Sequence, residues 1–143
     1  FIHGDQADTA ILQNAIDATN GEGFDVIIDD ASHIGEYTRR SFEFLFPNGL
    51  KSGGLYFIED YHTGYMDIWV DGHAFAEPIA DKVDGIPSVF ASHQYGMVGW
   101  LKQLFDDLHT EATANYLTPS RRRKYAMESF TVIPHLFLVK KCR

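Results

Sequence analysis

Acidic residues follow two successive apolar runs of the chain. Residues 29–33 read DDASH after the apolar run 26–28, and residues 59–60 read ED after the apolar run 55–58. If the two runs are neighbouring parallel strands, their carboxyl ends lie at one edge of a sheet, where open α/β folds bind ligands. Four carboxylates and the imidazole of His33 would then meet. Because clustered carboxylates need a metal ion, a shared proton or another cation to coexist, we expect a functional site at this edge.

Strand and helix patterns alternate along the chain around these residues. Apolar residues recur at helical spacing in residues 8–20, and the run 24–29 is short and β-branched, as in buried strands. The other predicted elements are the tail of a strand at 1–3, a helix at 35–46, a strand at 55–58, a helix at 95–109, and closing strands at 130–133 and 135–139. This order predicts an α/β fold with a doubly wound, mostly parallel sheet and a C-terminal antiparallel hairpin.

The same patterns predict how these elements pack. The continuous apolar run 24–29 predicts a strand that is buried on both faces. Glycine, proline and small polar residues predict a loop through 47–49 and 52–54. The inward residues of the two later helices are predicted to be Tyr37, Phe42, Leu45 and Phe46 in the first, and Val98, Leu101, Leu104, Phe105 and Leu108 in the second.

Residues 61–93 are rich in aromatic side chains and have no regular period. A long segment of this kind inside a compact domain is typically a lid or a binding loop, or is disordered. We interpret it as a lid or acceptor-binding loop, with a local hydrophobic plug as the alternative. Residues 121–124 are interpreted as a solvated basic run. The histidines without metal-ligand spacing, interpreted as surface or lid residues, are His62, His73, His93 and His109.

Length and charge limit the classes of partner. The 143 residues suit one domain, and a formal net charge of -8 with a pI near 5.2 disfavours nucleic acid and anionic membranes as partners. We therefore expect a small-molecule partner. The single cysteine, Cys142, suits a reducing cytoplasm, and no apolar run approaches the roughly 20 residues that cross a bilayer. Because the sequence opens inside an apolar pattern without a methionine, we expect a fragment of a longer enzyme.

Four segments together resemble a known enzyme family. These are residues 4–8 (GDQAD), 24–33 (FDVIIDDASH), 41–47 (SFEFLFP) and 53–60 (GGLYFIED). They resemble the metal-dependent O-methyltransferases of the mycinamicin and macrocin type, which modify sugars on macrolide antibiotics. That family belongs to the class I S-adenosylmethionine-dependent methyltransferases, which have a Rossmann-like fold. The resemblance is close over residues 1 to about 65 and implies that 1–143 is the C-terminal portion of one catalytic domain.

The resemblance implies a role for each residue of the predicted site. It implies magnesium ligation by Asp30, Glu59 and Asp60, general-base catalysis by His33, and contacts of Asp5, Gln6 and Asp29 with the methyl donor. Oxygen ligands suit Mg²⁺, and a histidine can accept the proton of a hydroxyl near neutral pH. Each residue also has a structural interpretation. Asp30 or Ser32 could cap the following helix, and His33 could be an ordinary loop residue.

The sequence departs from the family at two points. Ala31 stands where relatives commonly carry glycine, which is acceptable unless the backbone there needs a positive φ. The glycine-rich turn and the acidic residue that hold the rest of the donor are absent, and we expect them in an N-terminal half. Without that half, we expect the chain to self-associate or to be partly molten, and to bind the donor weakly.

The resemblance implies Mg²⁺-dependent methyl transfer from S-adenosylmethionine to a hydroxyl of a small natural product, such as a sugar of a glycosylated metabolite. Two alternatives remain open. One is the cephalosporin-hydroxylase-like group, which shares the Asp/His and Glu-Asp pattern. The other is a non-catalytic domain that binds a partner through its aromatic loop. The sequence leaves the acceptor and the oligomeric state, including a homo-oligomer, undetermined.

Overall fold

The computed structural model of the chain describes residues 1–66, 68–73, 82–83, 86–87, 96–113 and 123–143. The helices are α1 (Thr9–Asp17), α2 (Gly35–Asn48), α3 (Val70–His73) and α4 (Gly96–Thr113), with a 3-10 helix at Tyr61–Tyr65. The strands are β1 (Phe24–Asp29), β2 (Leu50–Glu59), β3 (Lys82–Val83), β4 (Ile86–Pro87), β5 (Met127–Ile133) and β6 (Leu136–Lys141).

Four of the strands form one sheet in the order β1-β2-β6-β5. β1 and β2 are parallel, whereas β6 is antiparallel to both β2 and β5. The predicted α/β class and the C-terminal antiparallel hairpin are thus confirmed. Within the described residues one strand pairing of this sheet is parallel and two are antiparallel, so this part of the sheet is mixed. β3 and β4 pair separately as a short hairpin.

Aromatic side chains fill the core between the sheet and α2 and α4. The ring of Phe42 lies 4.6 Å from that of Phe46, 5.0 Å from Tyr56 and 5.4 Å from Trp100, measured between centroids. The first pair is stacked and the other two are edge-to-face, and both arrangements add to the free energy gained by burying the rings. Phe42, Leu45 and Phe46 are buried as predicted. Tyr37 is 38% exposed, so it is not an inward residue of α2 as predicted.

The stripe predicted for the helix at 95–109 is mostly confirmed in α4. Val98, Leu101 and Leu104 are buried and Leu108 is partly buried, but half of Phe105 is exposed. Phe105 stacks on His109 one turn later along the helix, which shelters one side of its ring. The helix is the longest of the described elements, and it extends four residues beyond its predicted end.

β1 departs from its predicted environment. Val26 is 48% exposed and Ile28 is 60% exposed, so the strand is not buried on both faces. Side chains alternate along a strand, and among the described residues helices cover only the face that carries Ile27 and Asp29. Residues 1–3 form no strand, which differs from the prediction, because they have no partner strand in the described sheet.

Residues 47–49 and 52–54, predicted to form a loop, lie largely within α2 and β2. Pro47 and Asn48 form the last turn of α2, where the missing proline N–H removes a single helical bond. Lys141 Nζ donates hydrogen bonds to the carbonyls of Phe46, Pro47 and Leu50, which satisfies this helix end. Residues 52–54 lie within β2, and the pairing jumps from Phe24–Leu50 to Val26–Leu55. The positive φ of Gly53 (77°) accommodates this bulge.

The predicted lid at 61–93 lies partly outside the described residues. Its described parts include the 3-10 helix and α3, which pack against each other and against α4, so this portion is regular rather than aperiodic. Of the histidines interpreted as surface or lid residues, the side chains of His73 and His93 lie outside the described residues. In the part of the chain that is described, no helix is both long and apolar enough to span a bilayer.

Glu43 joins α2 to the segment that precedes β5. Its carboxylate accepts hydrogen bonds from Lys124 Nζ (2.6 Å), Arg39 Nε (2.9 Å) and Tyr125 Oη (2.9 Å). Lys124 is therefore more than a solvated residue of the predicted basic run. Partial burial alone would raise the pKa of Glu43, but the three donors outweigh it and lower the pKa from 4.5 to about 2.

We predict that Glu43→Gln lowers the free energy of unfolding by about 1–2 kcal/mol at pH 7, because it removes charge-assisted hydrogen bonds at a partly exposed site. A depressed carboxyl pKa stabilises the fold above the unfolded value and loses this effect as the pH falls. The difference from wild type should therefore shrink between pH 4.5 and pH 2 in urea titrations. Glu22→Gln, at an exposed position, is the control. A difference that does not change with pH would contradict this account.

Candidate active site

The ends of β1 and β2 bring the predicted carboxylates together. Asp29 pairs with Ile58 in the parallel ladder, so Asp30 and Glu59 are the next residues at the same edge of the sheet. His33 Nε2 lies 3.7 Å from Asp30 Oδ1 and 3.9 Å from Asp60 Oδ2. One ligand atom from each of these three residues falls within 4.8 Å of the other two, and we call Asp30, His33 and Asp60 the first cluster.

In the described part of the chain, no lysine or arginine pairs with the carboxylates of the first cluster. The Asp30 and Asp60 side chains are 57% and 45% exposed, and among the described residues only histidines lie within ion-pair distance of them. Two carboxylates this close to each other favour a bound cation. Their oxygen atoms suit a hard ion such as Mg²⁺, so the residues of the first cluster fit the predicted metal.

Glu59, the third predicted metal ligand, belongs to neither of the metal-ligand groups found among the described residues. It is the last residue of β2 and is partly buried. Because Ile58 faces the core, the alternation of side chains directs Glu59 to the opposite face of the sheet. Its role in metal binding stays a prediction from the resemblance.

Backbone contacts fix the position of His33. Its carbonyl accepts hydrogen bonds from Thr63 Oγ1 (3.2 Å) and from Trp69 Nε1 (3.1 Å). Its φ of 53° is left-handed, a conformation that costs a non-glycine residue about 1–2 kcal/mol. Asp60 is also left-handed, with a φ of 48°. Ala31 does not have a positive φ, so the backbone at this position accommodates alanine in place of glycine.

Asp71 holds the helix that follows His33. Its buried carboxylate Oδ2 accepts the backbone N–H of Gly35 (2.8 Å) and that of Met97 (2.7 Å), at the starts of α2 and α4. A carboxylate at two helix N-termini satisfies N–H groups that have no partner within the helices and interacts favourably with both helix dipoles. A Cβ on Gly35 would lie 2.2 Å from Met97 N, so this approach of the helices requires glycine. No local sequence pattern pointed to Asp71.

Two of the residues predicted to contact the donor, Gln6 and Asp29, belong to one polar network at the end of β1. Asp29 is buried and accepts hydrogen bonds from Ser41 Oγ (2.7 Å), Gln6 Nε2 (3.1 Å) and Tyr56 Oη (3.4 Å). Burial raises the pKa of Asp29, although these hydrogen bonds oppose the shift. Gln6 Oε1 also accepts the Ser32 N–H (2.8 Å).

Asp5 lies apart from this network and is exposed. Its carboxylate accepts the N–H of Ala7 at 2.8 Å, which closes the turn before α1. Gln6 and Asp29, by contrast, are in direct contact, and they connect this turn to the end of β1. The contacts of Asp5, Gln6 and Asp29 with the methyl donor stay a prediction.

Two histidines that the sequence did not assign to the site lie beside Asp60. His62 Nδ1 is 3.7 Å and His135 Nδ1 is 3.9 Å from Asp60 Oδ1. We call Asp60, His62 and His135 the second cluster. The interpretation of His62 as a surface or lid residue is incomplete, because its ring contacts that of His135. A signal existed in the sequence, since His135 begins the second strand of the predicted hairpin and His62 follows Asp60 by two residues.

An aromatic cavity begins next to the site. Its volume is about 220 Å³, and it lies between the 3-10 helix, α4 and the β5–β6 hairpin. Tyr61, which directly follows Asp60, forms part of its wall, and Tyr61 Oη donates to the carbonyl of Ile133 at 3.3 Å. A larger cavity of about 550 Å³ lies between α2 and α4, and its lining includes the charged residues Glu36, Arg39 and Arg40.

Comparison with known proteins finds sugar O-methyltransferases that are similar to this chain. Demethylmacrocin O-methyltransferase of Streptomyces fradiae is 48% identical over 62 residues, which are 43% of this chain and 15% of the relative. The 8-demethyl-8-alpha-L-rhamnosyl tetracenomycin-C 2'-O-methyltransferase of Streptomyces olivaceus is 33% identical over 138 residues, which are 96% of this chain and 31% of the relative. No family model matches the chain.

The fold has a solved counterpart. The MycE methyltransferase from the mycinamycin biosynthetic pathway, solved in complex with Mg and SAH, matches 99% of this chain with a TM-score of 0.70 and 30% identity. The match covers 32% of that chain. The chain is therefore a homologue of sugar O-methyltransferases of antibiotic pathways and has part of their fold. The matched residues are 15% of the length of the first curated relative named above and 31% of the length of the second.

We predict that Ser41→Ala lowers the free energy of unfolding by about 1–3 kcal/mol, because it removes a hydrogen-bond donor from the buried carboxylate of Asp29. Urea unfolding at pH 7 measures the change. Ser129→Ala, at an exposed position in β5, should change the free energy of unfolding by no more than about 0.5 kcal/mol. Equal effects of the two substitutions would show that the Ser41 hydroxyl does not stabilise Asp29.

Proposed function

We propose that the chain is the C-terminal portion of the catalytic domain of an S-adenosylmethionine-dependent O-methyltransferase, and that the whole enzyme methylates a hydroxyl on a sugar of a small glycosylated metabolite. One observation carries the proposal. Two exposed carboxylates, Asp30 and Asp60, lie at the ends of parallel strands with the imidazole of His33 within 4 Å of both. The similarity to sugar O-methyltransferases, one of them solved with Mg and SAH, supports it.

Asp30 and Asp60 would hold the magnesium ion, with Glu59 as the further ligand that the resemblance implies. When bound, Mg²⁺ supplies Lewis-acid polarisation of a substrate hydroxyl. Asp30 and Asp60 would determine where this cation binds. Asp30 directly follows β1, and the N–H of Asp60 donates to the carbonyl of His135 at 2.7 Å. Both carboxylates are thereby anchored by the sheet.

His33 would act as the general base. Nε2 faces both carboxylates, where an acceptor hydroxyl would lie, and the carboxylates stabilise the imidazolium that results from proton transfer. The hydrogen bonds from Thr63 and Trp69 to its carbonyl hold the backbone that carries the ring. The side chain is only 17% exposed, which limits the access of bulk water to the transferred proton.

The donor, S-adenosylmethionine, would supply the methyl group, and Asp5, Gln6 and Asp29 would lie on its side of the site. The hydrogen bonds of Asp29 to Ser41, Gln6 and Tyr56 would keep that side rigid. The residues 61–93 would form the lid or acceptor-binding loop, and the aromatic cavity next to Tyr61 offers apolar surface for an acceptor. A cytoplasmic location stays a prediction, and so does a homo-oligomeric assembly.

The two alternatives have less support. The relatives named above are methyltransferases, which favours methyl transfer over the cephalosporin-hydroxylase-like interpretation. A non-catalytic binding domain has no need for two exposed carboxylates with an imidazole held between them. The test is methyl transfer from labelled S-adenosylmethionine to a glycosylated acceptor by the full-length protein, with and without Mg²⁺.

We predict that Asp30→Asn abolishes Mg²⁺-dependent turnover. The change keeps the shape of the side chain and removes its charge, and turnover should fall by about 100-fold or more, because loss of even an outer-shell metal partner costs roughly 10–100-fold. Asp25→Asn is the matched control, since Asp25 lies at the other end of β1 and pairs with Lys51 on the surface. Equal turnover of the Asp30 variant and wild type in saturating Mg²⁺ would refute the metal role.

We predict that His33→Asn lowers kcat by about 10²- to 10⁴-fold and leaves donor affinity nearly unchanged. Asparagine tolerates the left-handed backbone at this position, so the loss of the imidazole is separated from backbone strain. His109→Asn, at an exposed position on α4, should keep the wild-type kcat. An unchanged kcat in the His33 variant would exclude this histidine as the base.

A further inference from the structure

We propose that Asp60, His62 and His135, the second cluster, form a metal site distinct from the first cluster, which takes a borderline transition-metal cation of the Zn²⁺ type. The three residues come from two parts of the fold. Asp60 and His62 lie at the end of β2 and in the 3-10 helix, and His135 lies in the turn between β5 and β6. The pairing of Glu59 with Leu136 brings this turn to the end of β2.

Nitrogen atoms of the two imidazoles lie within hydrogen-bond distance of each other. His135 Nδ1 lies 2.9 Å from His62 Nδ1 and 3.2 Å from His62 Nε2, so it is nearly equidistant from both nitrogens of the other ring. The rings are 86° apart, with centroids 4.0 Å from each other. His135 Nδ1 therefore faces the ring edge between the two nitrogens. Nitrogen lone pairs this close repel one another unless a proton or a cation lies between them.

The separations of the three ligand atoms suit one shared cation. They are 2.9 Å between His62 Nδ1 and His135 Nδ1, and 3.7 and 3.9 Å from these atoms to Asp60 Oδ1. Ligands about 2.0–2.1 Å from a tetrahedral Zn²⁺ are roughly 3.3–3.4 Å apart, which lies within this range. Small rotations of the partly exposed rings would equalise the distances. Three protein ligands leave a fourth position for water or a substrate atom.

The chemistry of the ligands separates the two clusters. Two of the three ligands in the second cluster are imidazole nitrogens, which suit Zn²⁺, Co²⁺, Ni²⁺ and Cu²⁺, whereas the two carboxylates of the first cluster suit Mg²⁺. The Asp60 carboxylate directs Oδ2 to His33 in the first cluster and Oδ1 to the two histidines of the second cluster. One carboxylate thus joins a hard site to a borderline site, so a cation in the second cluster would lie directly beside the reacting groups.

Cobalt is a suitable probe, because Co²⁺ replaces Zn²⁺ and its visible ligand-field absorption reports the number and type of its ligands. We expect one Co²⁺ per chain to bind to the full-length protein in saturating Mg²⁺, with an absorption spectrum typical of four-coordinate nitrogen and oxygen ligation. Zn²⁺ should displace it, and further Mg²⁺ should not. Failure to bind Co²⁺ under these conditions would overturn the proposal.

Single substitutions show which of the two clusters binds the Co²⁺ ion. His62→Gln and His135→Asn should each weaken Co²⁺ binding by at least about 10- to 100-fold, the loss that follows removal of even an outer-shell metal partner. His135 is 65% exposed and asparagine tolerates its left-handed backbone, so this variant should fold normally, as circular dichroism can verify. Asp30→Asn and His109→Gln should keep the wild-type affinity. If Asp30→Asn weakens Co²⁺ binding and the His62 and His135 variants do not, the cation occupies the first cluster and the proposal is wrong.

Discussion

The position of the candidate base depends on a buried carboxylate outside the first cluster. Asp71 accepts the N–H groups at the starts of α2 and α4, and Trp69, two residues earlier, donates to the carbonyl of His33. A buried carboxylate requires such donors, because an unpaired charge in the core is costly. The short segment at 68–73 thereby fixes both the loop that carries His33 and the helix that follows it. The approach of α2 to α4 depends on the same carboxylate.

Backbone conformation reinforces this constraint. Four non-glycine residues among those described have a positive φ, and three of them, His33, Asp60 and His135, belong to the two clusters. Each would relax to a more common conformation if its surroundings allowed it, so the surrounding hydrogen bonds must hold it in place. The N–H of Asp60 bonds to the carbonyl of His135, and Thr63 bonds to the carbonyls of both Asp60 and His33. Strain at such positions is typical of functional sites.

The sequence predicts the parts of the site that depend on local patterns. Carboxylates after two apolar runs were enough to bring Asp30 and Asp60 together, because parallel strands end at one edge of a sheet. Asp71 could not be predicted, since its partners Gly35 and Met97 are 36 and 26 residues away. His135 was missed for a similar reason, because the register of β6 against β2 decides its neighbours. Residues 52–54 predict a loop from sequence but form a bulge within β2, because glycine is common in loops and in bulges alike.

The central claim is that the ends of β1 and β2 form a metal-binding active site. Anomalous diffraction at the manganese edge tests it most directly, in crystals of the full-length protein with Mn²⁺ in place of Mg²⁺. The account predicts an anomalous peak at about 2.1 Å from carboxylate oxygens of both Asp30 and Asp60. A well-diffracting crystal with no peak between these two residues, or with its only peak at the imidazoles of His62 and His135, would contradict it.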